Sequence, residues 1–224
     1  MTSDRSNRLA VIFDIDGVLV DSYAVHFQSW QMAAERFGFT MSEQQFAKTF
    51  GQTSRSIIQL LITGAAASDG RVKEIDEYKE AAYRQIITAD FPTMPGALDL
   101  IDALAADGFA LAVGSSGPQE NVQLALDRLG RRAVFAADVS GSDVTRGKPD
   151  PEVFQVAAQR LGVPPESCAV IEDAAAGVAA ANAAGMLSVA LVSTGHHADE
   201  FSEADHVVDR LDQLSPQGLR EWIT

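Results

Sequence analysis

Residues 9–17 have the sequence LAVIFDIDG, in which a short apolar run leads directly into two aspartates and a glycine. An apolar run of this length, partly β-branched, is typical of a buried strand that ends in a loop. Similar runs recur at residues 110–113, 168–171, 187–192 and, in shorter form, 206–208. Helical patterns accompany them at residues 95–106, 118–129, 151–161 and 174–184. Strands that alternate with helices predict an α/β fold with a Rossmann-like, mostly parallel sheet.

One segment, residues 22–91, breaks this alternation because its apolar spacing is helical throughout. Its predicted helices cover residues 23–37, 42–50, 54–63 and 72–89. Because these helices lie between the first strand and the next unit of the sheet, we expect them to form an inserted α-helical cap domain. The predicted catalytic core then comprises residues 1–21 and 92–224, and residues 22–91 are the predicted cap.

The composition disfavours several classes of protein. With 17 basic and 31 acidic residues the formal charge is −14, so binding to nucleic acid or to an anionic membrane is not expected. The apolar run at residues 9–13 is too short for a signal peptide or a membrane span, which favours a cytoplasmic location. The single cysteine, Cys168, cannot form an intrachain disulfide, and its apolar neighbours indicate a core residue rather than a nucleophile. His196 and His197 match no metal-binding spacing and are expected in a surface loop.

The first predicted strand is followed by Asp14 and Asp16, two carboxylates whose burial is unfavourable unless a cation or a reaction requires them. Gly17 allows the backbone to turn tightly after them. The pair offers a nucleophile and a nearby acid or base. A calcium-binding EF-hand loop that starts at Asp14 is disfavoured, because it needs a glycine and a glutamate where the chain has Leu19 and Val25.

Potential phosphate-binding groups occur in two further segments. Ser115, Ser116 and Gly117 lie between the apolar run at residues 110–113 and a predicted helix. Free N–H groups at a helix N-terminus bind phosphate and substrate well, although an ordinary strand–turn–helix connection has the same composition. Lys148 lies on a proline-containing loop at another helix start, where its ammonium can hold a phosphate and offset the carboxylates. A solvent-exposed surface lysine is the alternative.

The fourth segment is the acidic pair Glu172 and Asp173, which ends the apolar run at residues 168–171. Carboxylate oxygens are the hard ligands that Mg²⁺ prefers. The alternative is that Asp173 only caps the helix that follows. In open parallel sheets, ligands bind beyond the carboxyl ends of the strands, so we expect all four segments to converge on one site.

The order of these four segments resembles that of the haloacid dehalogenase superfamily, in the branch that carries a helical cap after the first strand. The resemblance covers almost the whole chain. It implies phosphoryl transfer from a small phosphorylated metabolite, with Asp14 as the nucleophile and Asp16 as the general acid and base. It further implies that Ser115 binds the phosphate and that Lys148 steadies it during transfer.

The same resemblance implies a Mg²⁺ cofactor. The carboxylates of Asp14 and Asp173 and the backbone carbonyl of Asp16 would hold it, with Glu172 as a ligand or a close neighbour. An acid at Asp16 argues against a true dehalogenase, which lacks that acid and needs no metal. A non-catalytic binding protein that retained the fold is disfavoured, because every residue needed for the chemistry is present. A monomer or a small homo-oligomer is expected.

Three predicted cap residues, His26, Arg55 and Lys79, resemble the pattern of β-phosphoglucomutases and related sugar-phosphate phosphatases. The arginine and the lysine can bind a second phosphate or an anionic sugar, although charged helix residues are usually solvated and His26 is equally explained as an ordinary helix residue. Gly117 and Gln119 stand where the mutase pattern has two polar sugar-contacting residues. The sequence therefore favours hydrolysis of a sugar phosphate or similar metabolite, with a mutase as the alternative.

Overall fold

The computed structural model describes residues 8–62 and 68–224. Within these residues, six strands form one sheet in which each neighbouring pair is parallel. The strands are β1 (Ala10–Phe13), β2 (Ala110–Gly114), β3 (Phe135–Val139), β4 (Cys168–Glu172), β5 (Leu187–Leu191) and β6 (His206–Val208). Their order across the sheet is β3-β2-β1-β4-β5-β6, which places β1 and β4 at its centre. The predicted α/β fold with a parallel sheet is confirmed.

The strand β1 is buried on both faces because its side chains alternate between two hydrophobic clusters. Val11 and Phe13 belong to one cluster, and Ala10 and Ile12 belong to the other. All four residues are fully buried, as a continuous apolar run in a parallel sheet requires. The next residue, Asp14, therefore leaves the core at the carboxyl edge of the sheet, beside the ends of β2 and β4.

Helices cover both faces of the sheet. The described residues contain α1 (Tyr23–Phe37), α2 (Glu43–Ala47), α3 (Ser54–Leu61), α4 (Asp69–Ala89), α5 (Ala97–Ala106), α6 (Gln119–Leu129), α7 (Glu152–Leu161), α8 (Ala175–Ala183) and α9 (Pro216–Ile223). Apolar residues of α5, α6 and α9 pack on one face, and those of α7 and α8 pack on the other. Among the described residues, none of these helices has the length and apolar character that crossing a bilayer requires.

The ends of several elements differ from the sequence prediction. Helix α2 is shorter than predicted, α4 begins at Asp69 rather than at residue 72, and the predicted end of the third helix, Thr63, lies outside the described residues. Two elements were missed, β3 and α9. β3 is an edge strand with the sequence FAADV and is only partly buried, so it lacks the continuous apolar run that revealed the inner strands.

Helices α1 to α4 lie between β1 and α5 and have a hydrophobic cluster of their own. Its largest fully buried members are Trp30, Phe46, Ile58 and Ile75. The C-terminal half of α4 is different, because Tyr83 and Ile87 belong to the cluster on the sheet. One end of α4 thus packs its apolar side chains into the core on the sheet.

The two chain segments that join this helical part to the sheet run side by side. The backbone N–H of Asp21 donates to the carbonyl oxygen of Pro92 at 2.8 Å, and that of Met94 donates to the carbonyl oxygen of Leu19 at 3.0 Å. Val20 forms an antiparallel bridge with Thr93 between them. The chain therefore enters and leaves the helical segment at adjacent positions.

Candidate active site

The four sequence segments meet at the carboxyl edge of the sheet. The backbone N–H of Asp14 donates to the carbonyl oxygen of Ile171 on β4 at 3.0 Å. The Lys148 ammonium donates to Oδ1 of Asp14 at 2.7 Å and also contacts Oε1 of Glu172. Lys148 is almost fully buried, so the alternative of a solvent-exposed lysine is wrong. Both strand ends and the lysine loop thus contribute to one buried ion cluster.

The charges of this cluster depend on one another. Burial raises the pKa of Asp14 to about 7, and the carboxylates of Glu172 and Asp16 add to this effect, while Lys148 opposes it. Burial lowers the pKa of Lys148, but Asp14 and Glu172 outweigh this effect, so its pKa lies above the ordinary value. The lysine therefore stays charged.

Glu172 and Asp173 are held by different groups. Oε2 of Glu172 accepts the backbone N–H groups of Asp173 and Ala174, each at 2.9 Å. The glutamate lies against Gly177, where a Cβ atom would come within 2.0 Å of the carboxylate. Oδ2 of Asp173 accepts from the Ser193 hydroxyl at 2.6 Å. Asp173 is therefore fixed by Ser193, which follows β5, and the alternative that it caps the helix is wrong, because the N-cap of α8 is Ala174, whose side chain forms no capping hydrogen bond.

The carboxylates fit a hard divalent cation. Asp14, Glu172 and Asp173 each offer an oxygen, and these atoms lie within 4.8 Å of one another. Oδ1 of Asp173 is buried and has no hydrogen-bond partner among the described residues. Burial, and then Glu172 and Asp14, raise the pKa of Asp173 well above its ordinary value. A buried carboxylate oxygen that accepts no hydrogen bond, and that lies among other carboxylates, is a suitable ligand for Mg²⁺.

Asp16 presents its two carboxylate oxygens to different surroundings. Oδ1 accepts from the Ser22 hydroxyl at 2.7 Å, from Nε2 of His26 at 2.9 Å and from the Tyr83 hydroxyl at 3.1 Å. Oδ2 has no hydrogen bond to any residue that the structure describes. Burial raises the pKa of Asp16, but His26, Ser22 and Lys79 outweigh it, so the pKa lies below its ordinary value. Oδ2 is left to act on a ligand.

His26 links Asp16 to two charged residues of α4. The Lys79 ammonium lies 2.9 Å from Nδ1 of His26 and 2.8 Å from Oε1 of Glu80. Because an ammonium can only donate, Nδ1 accepts, and Nε2 carries the hydrogen that it donates to Asp16. The imidazole also stacks on Tyr83 with ring centroids 4.0 Å apart. The histidine tautomer and orientation are therefore fixed.

The loop after β2 forms the opposite wall. Ser115 is buried, and its hydroxyl accepts the backbone N–H of Gly117 at 3.0 Å. The Ser116 hydroxyl is buried without a partner among the described residues. Ser115, Ser116 and Gly117 all border the small cavity that also contacts Asp14 and Asp16. The loop thus offers hydroxyl and N–H groups next to the two aspartates.

Two neighbouring cavities lie between the helical segment and the sheet. The inner pocket, of about 40 Å³, is bordered by Asp14, Asp16, His26 and Lys79. The outer cleft, of about 530 Å³, is bordered by α3 and α4 on one side and by residues 115–120 and 141–148 on the other. Glu80 and Ser115 border both cavities. The outer cleft has the size of a small-molecule site, and it shares these bordering residues with the pocket that contains the two aspartates.

A family model described as haloacid dehalogenase-like hydrolase matches residues 9–185, which include the four sequence segments that meet at this site. The chain belongs to this family. As a haloacid dehalogenase-like hydrolase, it is an enzyme, and the resemblance seen in its sequence motifs is confirmed.

Other haloacid dehalogenase-like hydrolases resemble the chain over most of its length. A β-phosphoglucomutase of Bacillus subtilis is 33% identical over 218 residues, which cover 95% of this chain and 94% of that protein. A phosphorylated carbohydrates phosphatase of Thermotoga maritima is 31% identical over 180 residues, 79% of this chain and 82% of that protein. The crystal structure of a β-phosphoglucomutase from Clostridium difficile superposes with a TM-score of 0.87 at 25% identity, covering 96% and 97% of the two chains.

In this hydrolase the helical residues singled out from the sequence have different surroundings. His26 and Lys79 are buried beside Asp16, so a solvated lysine on the surface of α4 is the wrong alternative. Arg55 borders the outer cleft, but its side chain is 60% exposed, and its guanidinium lies 3.3 Å from Oδ1 of Asp69. Asp16 is not part of the carboxylate cluster, so metal binding through its backbone carbonyl stays a prediction.

Several residues of this hydrolase site were not predicted from the sequence. Ser22 and Tyr83 bind Asp16, and Ser193 binds Asp173. Ser193 follows the strand β5, so its position at a strand end is a signal that could have revealed it. The sequence could also have indicated Tyr83, because it lies one helical turn after Lys79 and therefore on the same face of the helix.

One surface expectation was wrong. His196 is buried rather than exposed, because it packs between the rings of Phe50 and Phe201 and binds Glu200 through Nδ1 at 2.9 Å. His197 is exposed, as expected. His196 thus contacts the helical segment through Phe50, whereas His197 faces the solvent.

Proposed function

We propose that the chain is a Mg²⁺-dependent phosphatase that acts on a small sugar phosphate or a similar metabolite through an aspartyl-phosphate on Asp14. One observation carries this proposal. Asp14 and Asp16 both border the inner pocket, and each has Oδ1 engaged by the protein and Oδ2 without a hydrogen bond to a described residue. Two adjacent carboxylates with free oxygens supply a nucleophile and an acid–base group.

In the first step, Oδ2 of Asp14 attacks phosphorus in line with the leaving oxygen. A new bond from the aspartate oxygen to phosphorus forms, while the bond from phosphorus to the leaving oxygen breaks. Lys148 keeps Asp14 oriented, and the Ser115–Ser116 loop donates hydrogen bonds to the phosphoryl oxygens. Asp16 is ionised in this closed arrangement, because His26, Ser22 and Lys79 lower its pKa, so it takes up a proton on Oδ2 from solvent before the cap closes on the substrate. It then gives this proton to the leaving alcohol, so that no alkoxide is released.

In the second step, Asp16 acts as a base. It takes a proton from a water molecule, which attacks the phosphorus of the aspartyl-phosphate. The bond from phosphorus to Asp14 breaks and releases inorganic phosphate and the free carboxylate. Ser22, His26 and Tyr83 all hold Oδ1, so the same oxygen, Oδ2, faces the leaving group first and the water afterwards.

The buried carboxylates set the requirement for metal. We assign Mg²⁺ to Asp14 and Asp173, because their carboxylates lie within 4.8 Å of one another and Oδ1 of Asp173 lacks a partner among the described residues, whereas both Glu172 oxygens are engaged. Asp14 would hold the ion through Oδ1, which leaves Oδ2 to attack phosphorus. A bound Mg²⁺ supplies positive charge that offsets the phosphoryl oxygens and the carboxylates. Glu172 then orients Lys148 and the start of α8.

Residues 22–91 act in this proposal as a cap that opens and closes. The inner pocket of about 40 Å³ holds no more than a few water molecules, so a phosphate must be admitted by separation of the helical segment from the sheet. On closure, His26 and Lys79 return to Asp16 and exclude water from the site. The paired connections at Asp21 and Pro92 suit such a motion.

A β-phosphoglucomutase-type mutase is the second candidate. The identity of 33% to one such mutase and the link from Lys79 through His26 to Asp16 favour it. Against it, Gln119 stands where the mutase pattern has an asparagine, and its amide donates to Asp138 at 3.0 Å instead of bordering either cavity. Hydrolysis is therefore the preferred assignment.

The test is a phosphometabolite panel with Mg²⁺ that scores phosphate release and isomerisation separately, and that includes β-glucose 1-phosphate with and without a bisphosphate primer. We expect phosphate release by the native chain and loss of turnover in Asp14→Asn. Asp99→Asn makes the same change at an exposed position and should be fully active. Activity of Asp14→Asn above about a hundredth of the native value would contradict covalent catalysis at Asp14.

Arg55→Ala separates the two candidates. In a mutase, Arg55 would hold the second phosphate from the outer cleft, so its loss would raise the ratio of phosphate release to isomerisation. In a phosphatase there is no isomerisation to lose, and only the KM for a large substrate changes. Robust primer-dependent isomerisation by the native chain would overturn the preference for hydrolysis.

A further inference from the structure

Three charged residues of α4 form a line along the outer cleft. Asp76, Glu80 and Arg84 are spaced four residues apart, so they lie on one face of the helix and successive members are about 6 Å apart along its axis. All three border the outer cleft, but only Glu80 also borders the inner pocket. Asp76 is therefore one helical turn further from the nucleophile than Glu80.

Two members of this line are committed to the protein. Glu80 accepts from the Lys79 ammonium at 2.8 Å and from the Asn121 amide at 2.7 Å. Arg84 donates to the Asn121 side-chain oxygen at 2.9 Å. Asn121 belongs to α6 on the sheet, so these contacts join α4 to the core. Glu80 and Arg84 thus position the helix, and both Glu80 oxygens are engaged by the protein.

Asp76 is different. Its carboxylate is half-buried, and no residue in the described part of the chain donates a hydrogen bond to it or lies within ion-pair distance. Burial, followed by the nearby Glu80, raises its pKa. A partly desolvated carboxylate without a donor gains when a ligand supplies one, because leaving it unpaired has a cost.

We propose that Asp76 is a specificity-determining residue that accepts hydrogen bonds from hydroxyl groups of the leaving group and disfavours a second phosphate in the outer cleft. The substrate class is then a polyhydroxylated monophosphate. This inference rests on the proposed phosphatase function, since it assumes that the leaving group occupies the outer cleft. A carboxylate has two oxygens that can accept from neighbouring hydroxyls of one polyol.

The cations nearby do not favour a second phosphate. Arg55 is paired with Asp69, and Arg84 is bound to Asn121. A distal phosphate would have to share a guanidinium with one of these contacts and would also lie near Asp76 and Glu120, which border the same cleft. Like charges in a partly desolvated cleft repel, whereas neutral hydroxyls do not.

The test compares Asp76→Asn with Glu74→Gln. Glu74 lies on the same helix, is exposed, pairs with Arg71 at 3.3 Å and borders neither cavity, so its neutralisation controls for net charge. The probes are a hexitol monophosphate, glucose 1,6-bisphosphate and acetyl phosphate, which has no hydroxyl group. We expect Asp76→Asn to raise the KM for the hexitol monophosphate about tenfold. Its kcat with acetyl phosphate should stay within about twofold of the native value.

The same variants are titrated with both sugar phosphates in an Asp14→Asn background, where binding is measured without turnover. The native preference for the monophosphate over the bisphosphate should fall about tenfold in Asp76→Asn and stay constant in Glu74→Gln. An unchanged preference, or equal effects of the two variants, would overturn the role of Asp76. A native chain that binds these compounds but hydrolyses none of the three probes would instead refute the phosphatase function.

Discussion

Gly17 lies so close to Asp173 that a Cβ atom at residue 17 would be 1.7 Å from Oδ2 of the aspartate. The glycine also has a φ of +75°, in the left-handed region that favours glycine. The tight turn after Asp14 and Asp16 thus brings the first carboxylate pair against the second. The close approach of the two acidic motifs requires a residue without a side chain.

Gly17→Ala should therefore displace Asp173 and impair the metal site. We expect Mg²⁺ affinity to fall about tenfold or more, together with a loss of about 1 kcal/mol from the left-handed backbone. Gly38→Ala is the matched control, because Gly38 has a φ of +74° and a methyl group at residue 38 would meet no atom within 4 Å. Titration with Mg²⁺ followed by thermal unfolding measures both effects. Equal Mg²⁺ affinity in the two variants would show that the contact with Asp173 is unimportant.

Mg²⁺ should stabilise the protein more at pH 8 than at pH 5.5. Burial raises the folded-state pKa of Asp14 to about 7, so its contribution in metal-free protein is fully favourable below its unfolded pKa and is lost as the pH rises through 7. A cation reverses this loss because it binds the ionised form. At a hundred times Kd, we expect a rise in Tm of about 5–10 °C at pH 8.

Thermal unfolding with Mg²⁺ or with a chelator measures this dependence. Asp14→Asn is the control, since it removes the titrating group and should raise the Tm of the metal-free protein at pH 8. Full phosphatase activity in the chelator, or a larger Mg²⁺ effect at pH 5.5 than at pH 8, would contradict the assignment of the metal site.

Asp16→Asn should separate the two chemical steps. Acetyl phosphate has a good leaving group, so phosphorylation of Asp14 needs no acid, but the aspartyl-phosphate cannot be hydrolysed without the base. We expect the phosphorylated chain to accumulate, as detected by intact mass, while turnover of an alkyl phosphate falls by about 10²–10⁴-fold. Asp99→Asn should show neither effect. Rapid turnover without accumulation would exclude Asp16 as the acid and base.

Ser193→Ala removes the donor that holds Oδ2 of Asp173 at 2.6 Å. We expect Mg²⁺ affinity to fall about 10- to 100-fold, because outer hydrogen bonds orient metal ligands. Ser188→Ala is the control on β5, the strand that precedes Ser193, since the Ser188 hydroxyl binds Asp205 instead. It should lower thermal stability and leave Mg²⁺ affinity unchanged. Calorimetric titration of both variants with Mg²⁺ measures the two affinities, and equal affinities would contradict the role of Ser193.

The sequence predicts the location of the site better than its internal contacts. Buried strands produce continuous apolar runs, and the residues directly after such runs, Asp14 and Asp173, therefore meet at one edge of the sheet. No comparable signal marks the edge strand β3, whose exposed positions interrupt its apolar pattern.

The contacts between the helical segment and the sheet could not be predicted in the same way. Lys79 looks like any charged residue of a helix in the sequence, and only tertiary packing buries it between His26 and Glu80. Pairing of this kind joins residues 53 positions apart. The periodicity of a single helix cannot predict this contact, because it depends on how α4 packs against α1.

The adjacent attachment points of residues 22–91 make this segment exchangeable. Since Leu19 bonds to Met94 and Asp21 to Pro92, a foreign helical module can be spliced in with almost no extra loop-closure entropy. The new segment must supply the apolar contacts that Tyr83 and Ile87 make with the sheet, and also the donors that hold Oδ1 of Asp16. Replacement of this one helical segment can thus change the substrate selectivity of the hydrolase without any change in the strand order of its sheet.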